Sequence, residues 1–171
     1  ITNIGYLFNG CSSLKKLNLS KFISDNVTKM ECMFYGCTLL QEIDLSHLNT
    51  SNVVDMSYLF CNCKSLQKIN FTNFNTSNVI DMKGMFSDCG ILGELDLSGF
   101  DTRKVKNMSH MFNNCFELYD LNISSFNTDN VKSMRYMFSG CMKLYTLDVS
   151  HFNINNGADI KSMFYFMVNS M

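Results

Sequence analysis

Cysteine is the residue type whose number and spacing in this sequence most directly suggest chemistry. The chain holds eight cysteines in 171 residues, and six of them recur at intervals of 26 residues. Cysteines in such numbers can indicate disulfide bonds or zinc ligands. Cys61 and Cys63 form a C-x-C pair, but no second pair and no histidine stands at zinc spacing. The sequence therefore predicts no metal site and no cofactor. The six periodic cysteines are Cys11, Cys37, Cys63, Cys89, Cys115 and Cys141.

The regular interval also argues against disulfide bonds within this column of cysteines. Stacked repeats bring equivalent positions to about 5 Å from one another, which is within reach of a disulfide. Equivalent Cβ atoms in a stack point in the same direction, however, and a disulfide needs them to face each other. We therefore expect a ladder of buried, reduced thiols that act as small apolar side chains.

The three histidines do not form a catalytic group. His47 and His151 share one position of the repeat but are four repeats apart, which is roughly 20 Å in a stack, and His110 stands at another position. The sequence contains no nucleophile elbow, P-loop, HEXXH or dinucleotide-binding glycine motif. We predict that the protein is not an enzyme.

Acidic and amide side chains alternate along one position that follows the same period. Asp44, Asp96 and Asp148 occupy every second repeat, and asparagine occupies the repeats between them. One interpretation is that the three aspartates bind a protein partner or a divalent cation. The alternative is structural, because the alternation keeps like charges about 10 Å apart, near the Debye length, and lets the repeats stack.

An aromatic group near the carboxyl end is the second candidate binding surface. Phe116, Tyr119 and Tyr145, together with Met142, stand where several earlier repeats have small or polar residues. Exposed aromatic and methionine side chains favour protein contacts. Packing against a further repeat or a cap is the alternative.

These residues are positioned by a repeat of 26 residues that runs through the whole chain without insertion or deletion. Such self-similarity predicts a solenoid. An LxxLxL segment opens each repeat and alternates apolar and polar residues, which indicates a short parallel strand. The second half, as in Val53, Met56, Leu59 and Phe60, has apolar residues three and four apart, which predicts a short helical limb. Asn52 stands at the expected N-cap of that helix.

The predicted fold is thus α/β, with one short parallel strand plus a short helical limb per 26-residue repeat. Residues 1–171 form one solenoid array of about 6.5 repeats. Because the chain begins and ends inside a repeat, we expect it to be a segment of a longer chain. A threonine column (Thr50, Thr76, Thr102, Thr128) raises the alternative of an ice-binding face, although such faces need threonine on flat strands.

The overall composition limits the classes of partner. The formal net charge is −1, and 46% of residues are hydrophobic, which is typical of a folded domain and gives no electrostatic basis for binding nucleic acid or anionic membranes. The longest apolar runs are far shorter than the ~20 residues of a membrane-spanning helix. We therefore expect no nucleic-acid partner and no membrane span in this segment.

The repeat resembles the leucine-rich repeats of BspA-like surface proteins, in particular the 26-residue variety of mycoplasma-type surface lipoproteins. The resemblance rests on LDLSHLNTSNVVDMSYLF at 45–60 and on its counterparts at 69–86, 95–112 and 121–138. It implies a leucine-rich-repeat solenoid at the cell surface, without enzymatic activity, that adheres to a host or neighbouring-cell protein. A structural spacer without a dedicated ligand site is the alternative. Ordinary leucine-rich repeats place a buried asparagine after the strand, and this sequence has phenylalanine or leucine there.

Overall fold

The computed structural model describes residues 1–154 and 157–167, which form a stack of 26-residue coils. The remaining six positions of the predicted array, 155–156 and 168–171, lie outside the described residues. Four three-residue strands run parallel, and β1 pairs with β2 and β3 with β4. Each partner is the residue 26 positions further along the chain. The strands are β1 (Glu42–Asp44), β2 (Lys68–Asn70), β3 (Glu94–Asp96) and β4 (Asp120–Asn122).

The second limb of each repeat is a series of turns, and the predicted helix is not found among the described residues. The backbone N–H groups of Met56, Tyr58 and Phe60 donate to carbonyls of the next repeat at 2.7–3.0 Å. Leu59 and Cys61 donate instead to the carbonyl three positions back, that of Met56 at 3.3 Å and that of Tyr58 at 3.1 Å. Overlapping β-turns of this kind also bury a side chain every three or four residues. The apolar spacing alone therefore could not distinguish them from a helix.

Left-handed backbone residues shape these turns at two positions per repeat. The first position is represented by Tyr58, with φ of 56°, and the second by Asn62, with φ of 63°. The second position holds only glycine, asparagine or aspartate through Gly140, the residue types that adopt this conformation most readily. The residues of this second column are Gly10, Gly36, Asn62, Asp88, Asn114 and Gly140, and Phe166, with a φ of 55°, continues it.

Side-chain hydrogen bonds close the corners of each coil. An Asp or Asn side-chain oxygen accepts the backbone N–H two residues later at Asp44, Asn75 and Asp81, at distances of 2.8–2.9 Å. This Asx turn replaces a backbone partner where the chain changes direction. Because no helix begins after Asn52 in the described structure, the expected N-cap at Asn52 is wrong. Its side-chain amide donates to the carbonyl of Asp25 in the preceding repeat at 3.0 Å.

Columns of identical side chains fill the interior. Phenylalanine rings from Phe8 to Phe164 stack with centroids 5.4–5.9 Å apart and planes within 14° of parallel. Aromatic pairs in such offset stacks stabilise a fold by about 0.5–1.5 kcal/mol beyond the area that they bury. Valine, methionine and cysteine columns lie beside them, and their interior members are fully buried. Each repeat thus depends on its neighbours for its apolar contacts.

The threonine column is buried, so the ice-binding alternative is wrong. Thr50, Thr76, Thr102 and Thr128 are at most 2% exposed. The Thr76 hydroxyl donates to the carbonyl of Asp101 at 3.0 Å and accepts the N–H of the same residue at 2.8 Å. The column forms a hydroxyl ladder that joins successive repeats.

Replacing Thr76 with valine tests this ladder, because valine keeps the shape of threonine and removes the hydroxyl. We expect a loss of about 1–3 kcal/mol in the free energy of unfolding, since the N–H and C=O of Asp101 would be left without a partner in a buried position. Urea unfolding measures the effect. Thr72→Val is the matched control, because Thr72 is exposed and should change stability by less than about 0.5 kcal/mol. Equal effects of the two substitutions would contradict a structural role for the ladder.

Two substitutions at Asn62 test the left-handed column. Asn62→Gly should leave the free energy of unfolding within a few tenths of a kcal/mol, because glycine adopts this conformation without strain. Asn62→Val should destabilise by at least about 1–2 kcal/mol, because a β-branched side chain clashes there with the backbone. Thermal unfolding of the two variants distinguishes them. A valine variant as stable as the glycine variant would show that position 62 is not left-handed in solution.

Candidate interaction surface

Two of the predicted aspartates, Asp44 and Asp96, lie on the outer face of strands, and Asp148 lies at the equivalent position of a later repeat. One side-chain oxygen of each accepts a hydrogen bond from its own repeat. Asp44, Asp96 and Asp148 accept the N–H of the serine two residues later at 2.9 Å. All three side chains are exposed. The hydrogen bonds from Ser46 and Ser150 lower the pKa of Asp44 and Asp148, and the backbone N–H of Ser98 lowers that of Asp96. The carboxylates are therefore fixed in direction and charged at neutral pH, and their binding of a partner stays a prediction.

Charged side chains beside them pair differently from one junction to the next. Lys16 and Glu42 form an ion pair at 2.8 Å across two neighbouring repeats. Lys68, at the equivalent position two repeats on, makes no ion pair within the described residues. Its would-be partner Glu94 accepts a hydrogen bond from the Tyr119 hydroxyl instead. The charges of Lys68 and Glu94, on the two sides of the junction between β2 and β3, are therefore not paired with each other.

Strands pair only at alternate junctions in the described part of the chain, so that β2 and β3 are unpaired with each other, as are residues 16–18 with β1 and β4 with residues 146–148. No backbone hydrogen bond joins these two strands in the described part of the chain, whereas both have a partner on their other side. The stacked rings of Phe60 and Phe86 at this junction show the largest separation and tilt of their column, 5.9 Å and 14°. Asn73, just after β2, has a φ of 65°, and its counterparts in other repeats are not left-handed. The widened ring stack and the left-handed Asn73 therefore distinguish this junction from the other two unpaired junctions.

Phe71 lies at the junction where the phenylalanine stack is widest and most tilted. Its position in the repeat holds leucine, isoleucine or valine elsewhere, as in the buried Leu45 and Leu97. The larger ring makes edge contacts at 5.1 Å with Phe74 and with Phe100. It remains half-buried, and so does Ile69 on the same strand, whereas Leu97 is fully buried. The core residues of β2 are therefore less completely covered than those of β3.

A cleft of about 670 Å³ opens at this junction. Lys68, Asn70 and Thr72 line one wall, and Glu94, Asp96 and Ser98 line the other, while Phe71 lies in the floor. A second cleft of about 570 Å³ lies over residues 16–18 and β1 and reaches Lys68 and Asn70 of β2. The ion pair between Lys16 and Glu42 spans it. The candidate binding residues predicted from the sequence include Asp96 but not Lys68 or Phe71. The one signal for Phe71 was a phenylalanine in an otherwise aliphatic column.

The aromatic residues predicted as a binding group share one flank but do not stack on one another in the described structure. Phe116, Tyr119 and Tyr145 are 41%, 51% and 70% exposed. Phe116 and Tyr119 lean over Gly90 and Gly93 of the preceding repeat, so that a Cβ added at Gly93 would meet the Tyr119 ring at 2.9 Å. The hydrogen bond with Glu94 raises the pKa of Tyr119. These rings thus combine packing with exposure, and their role in binding stays a prediction.

The expected ladder of reduced thiols is present. All eight cysteines are free, and the five periodic ones from Cys37 to Cys141 are buried, whereas Cys11 at the end of the stack is exposed. Each buried periodic thiol donates to the carbonyl of a phenylalanine 29 residues earlier, as Cys63 does to Phe34 at 3.1 Å. Burial raises the pKa of Cys37 to about 11 and that of Cys141 to about 12. The thiols are structural donors with little thiolate character at neutral pH.

The remaining titratable residues do not converge. Within residues 1–154 and 157–167, no group of three or more His, Cys, Asp or Glu side chains is arranged to hold a metal ion. His110 stacks on Tyr136 with centroids 5.0 Å apart, and burial lowers its pKa. His151 lies 3.2 Å from the carbonyl of Ile123. The histidines are therefore held individually by packing and by local contacts.

No helix long and apolar enough to cross a membrane occurs in the described part of the chain.

Comparison with known proteins identifies both a family and a fold. Residues 2–94 and 91–169 match the family model described as "Mycoplasma protein of unknown function, DUF285". A leucine-rich repeat protein from Eubacterium ventriosum, a crystal structure, is 22% identical over 98% of this chain and 40% of its own, with a TM-score of 0.64. A leucine-rich repeat protein from Bacteroides ovatus is 20% identical over 80% of this chain and 37% of its own, with a TM-score of 0.47. No curated protein matches the chain.

The chain therefore spans about two fifths of the length of these solved structures. At this level of identity, the likeness to the Eubacterium ventriosum protein shows the leucine-rich-repeat fold alone.

Alkylation of the folded protein with iodoacetamide tests the thiol ladder. At pH 8 we expect rapid modification of Cys11 and little modification of Cys37 or Cys89, because the latter thiols are buried and their raised pKa keeps them protonated. The rate at Cys37 should increase with pH up to about 11, as the thiolate fraction grows. Peptide mass spectrometry locates the modified residues, and denatured protein, in which all eight should react, is the control. Modification of Cys89 as fast as Cys11 in the folded protein would contradict the ladder.

Proposed function

The chain belongs to the family described as Mycoplasma protein of unknown function, DUF285, and we propose that this member is a non-enzymatic module for binding a protein partner at a cell surface. Family and fold confirm the resemblance to BspA-like leucine-rich repeats on which the expectation rests. Adhesion and surface display come from that resemblance, and the partner expected from it is a host or neighbouring-cell surface protein.

The observation that supports this proposal most directly is the exposed outer face of the strands. The first residue of every strand is exposed, and the Asx turns fix the acidic and amide side chains that follow. Fixed polar groups at regular intervals can contact an extended protein surface at many points. Several weak contacts on a rigid scaffold add up to useful affinity through avidity.

The exposed aromatic flank supplies the anchors that such an interface needs. Tyrosine and phenylalanine contribute a large share of binding energy at protein interfaces when they become buried there. Tyr145 and Phe116, with Met142, expose apolar surface on one flank of the last described repeats. A partner that covers this flank and the neighbouring strand face would combine apolar anchors with polar contacts.

The absence of a catalytic arrangement among the described residues agrees with a binding role. The buried thiols are protonated, the histidines are separate, and the acidic residues on the strand face lie in exposed rows. General acid–base or nucleophilic catalysis needs such groups within hydrogen-bond distance of each other in a shared site.

A structural spacer is the second candidate function, and one observation favours it. The aspartates of the outer face each use an oxygen in an Asx turn, so their presence is explained by folding alone. Under this alternative the array would set distance and stiffness without a ligand of its own.

A triple substitution separates the two candidates. Asp44→Asn, Asp96→Asn and Asp148→Asn together remove three charges, and the chain itself places asparagine at this position in the intervening repeats with the Asx turn intact. We expect wild-type protein to bind at least one member of an array of purified extracellular protein domains, and the triple variant to bind that domain roughly tenfold more weakly.

The matched control removes three charges from another face. Asp55→Asn, Asp81→Asn and Asp159→Asn change the column in which Asn107 occurs naturally and also accepts a backbone N–H. The control variant should bind as the wild type does. Wild-type protein that binds no domain, or an equal loss in the two variants, would contradict the proposal and favour the spacer.

A further inference from the structure

The junction between β2 and β3 combines unpaired strand edges, which two other junctions share, with the aromatic ring of Phe71, which none of the others has. Each strand is paired on one side only, so the backbone N–H and C=O groups that face the cleft have no partner in the opposite strand. Unpaired strand edges favour the binding of groups that can satisfy them. The cleft volume of about 670 Å³ is within the range of ~300–1,000 Å³ that is typical of small-ligand sites.

The two walls of the cleft carry complementary hydrogen-bonding groups. The Lys68 ammonium is a donor only, and the carboxylates of Glu94 and Asp96 are acceptors only. Asn70 on the first wall and Ser98 on the second can both donate and accept. A ligand that fills the space between the walls must therefore donate toward one wall and accept from the other.

The charges exclude simple ions as the natural occupant. A metal cation would face the ammonium of Lys68, which makes no ion pair within the described residues, and an anion would face Glu94 and Asp96. The described residues also include no cluster suited to a metal ion. A neutral ligand avoids both repulsions.

The spacing of the repeats excludes an inserted peptide strand. The phenylalanine rings below the cleft are 5.9 Å apart at Phe60 and Phe86 and 6.0 Å apart at Phe74 and Phe100. A strand paired on both sides would need the flanking strands roughly 9.6 Å apart, twice the interstrand distance. The ligand must therefore lie over the junction, in the open part of the cleft.

We propose that this cleft binds the ring of a neutral sugar residue. Hydroxyl groups both donate and accept, so that a polyhydroxylated ring can bond to Lys68 and to Asp96 together. The ring also has an apolar C–H face, which is attracted to the negative face of an aromatic ring such as the half-buried Phe71. Of the ligand classes considered, which are metal cations, anions, an inserted peptide strand and a neutral sugar, only the sugar fits both the aromatic floor and the polar walls.

The equivalent cleft beside β1 is a natural comparison within the same chain. It carries Lys16, Asn18, Glu42 and Asp44 at the matching positions, and Lys68 and Asn70 of β2 line both clefts. The ion pair between Lys16 and Glu42 spans it at 2.8 Å, and leucine stands where the other cleft has Phe71. We expect it to bind sugar much more weakly, because its walls are already paired and its floor has no aromatic ring.

Nuclear magnetic resonance titration of the full chain tests the proposal. The probes are lactose, maltose and N,N′-diacetylchitobiose, each added to the ¹⁵N-labelled protein up to millimolar concentrations. At least one should cause saturable shifts in the amide signals of residues 67–74 and 94–100, and the signals of residues 15–18 should remain unchanged. The dissociation constant follows from the dependence of the shifts on sugar concentration.

Two substitutions taken from the repeat itself serve as variants that preserve the fold. Phe71→Leu introduces the residue found at Leu19, Leu45 and Leu97, and it should weaken sugar binding by roughly tenfold or more. Asp96→Asn keeps the Asx turn and should weaken binding too. Asp44→Asn makes the same change in the comparison cleft and should have no effect. An unchanged spectrum away from the junction shows that each variant is folded.

Three outcomes would overturn the proposal. The first is the absence of saturable shifts with all three sugars, and the second is equal binding by wild type and Phe71→Leu. The third is shifts centred outside residues 67–74 and 94–100. None of these outcomes tests the binding of protein domains by Asp44, Asp96 and Asp148. A negative result with sugars would therefore leave the proposed protein-binding function to be decided by its own experiment.

Discussion

Hydrogen bonding between each repeat and the next, at a constant offset near 26 residues, is the interaction on which the rest of this structure depends. Strands pair in this register, and an unbroken column of bridges from Asn3 to Asp159 repeats it on the other limb. Because the offset does not change, equivalent side chains lie above one another along the whole stack. The phenylalanine stack, the threonine ladder and the thiol bonds all follow from it, and each joins one repeat to its neighbour. A single repeat would have none of these contacts.

The same regularity explains why most of the chemistry-bearing residues are structural. A column of cysteines in the interior becomes a row of protonated thiols, each bonded to a carbonyl. A column of threonines satisfies backbone groups of the following repeat, and rows of Asp and Asn close the corners. The departures from the pattern are therefore the more informative positions. Phe71 in an aliphatic column coincides with the interrupted sheet and with the cleft, and the large rings near the carboxyl end coincide with exposed apolar surface.

Several features could be predicted from particular residues. Alternation in LxxLxL located four strands to within one residue, although the segments at 14–19 and 144–149 form none. The interval between cysteines correctly predicted free thiols, which are buried from Cys37 to Cys141. The helical limb could not be predicted correctly, because overlapping turns and a helix bury apolar residues at the same intervals. The run of Gly, Asn and Asp before the periodic cysteines was the available signal for left-handed turns. Asn52 was predicted to be an N-cap because asparagine is a preferred capping residue. Asparagine is equally suited to the hydrogen bond that Asn52 donates to the preceding repeat, so the residue type could not distinguish the two roles.

By itself, the sequence determined the repeat length, the columns that face inward, the parallel strands and the leucine-rich-repeat family, because these depend on periodicity and on the apolar character of single residues. Only the tertiary structure decided which junctions of the sheet pair, that the threonines are buried, and that Lys68 and Phe71 meet Asp96 at one cleft. The physical reason is that these outcomes depend on how much space neighbouring repeats leave for a given side chain. A phenylalanine in place of leucine changes that space only when the residues above and below it are in position.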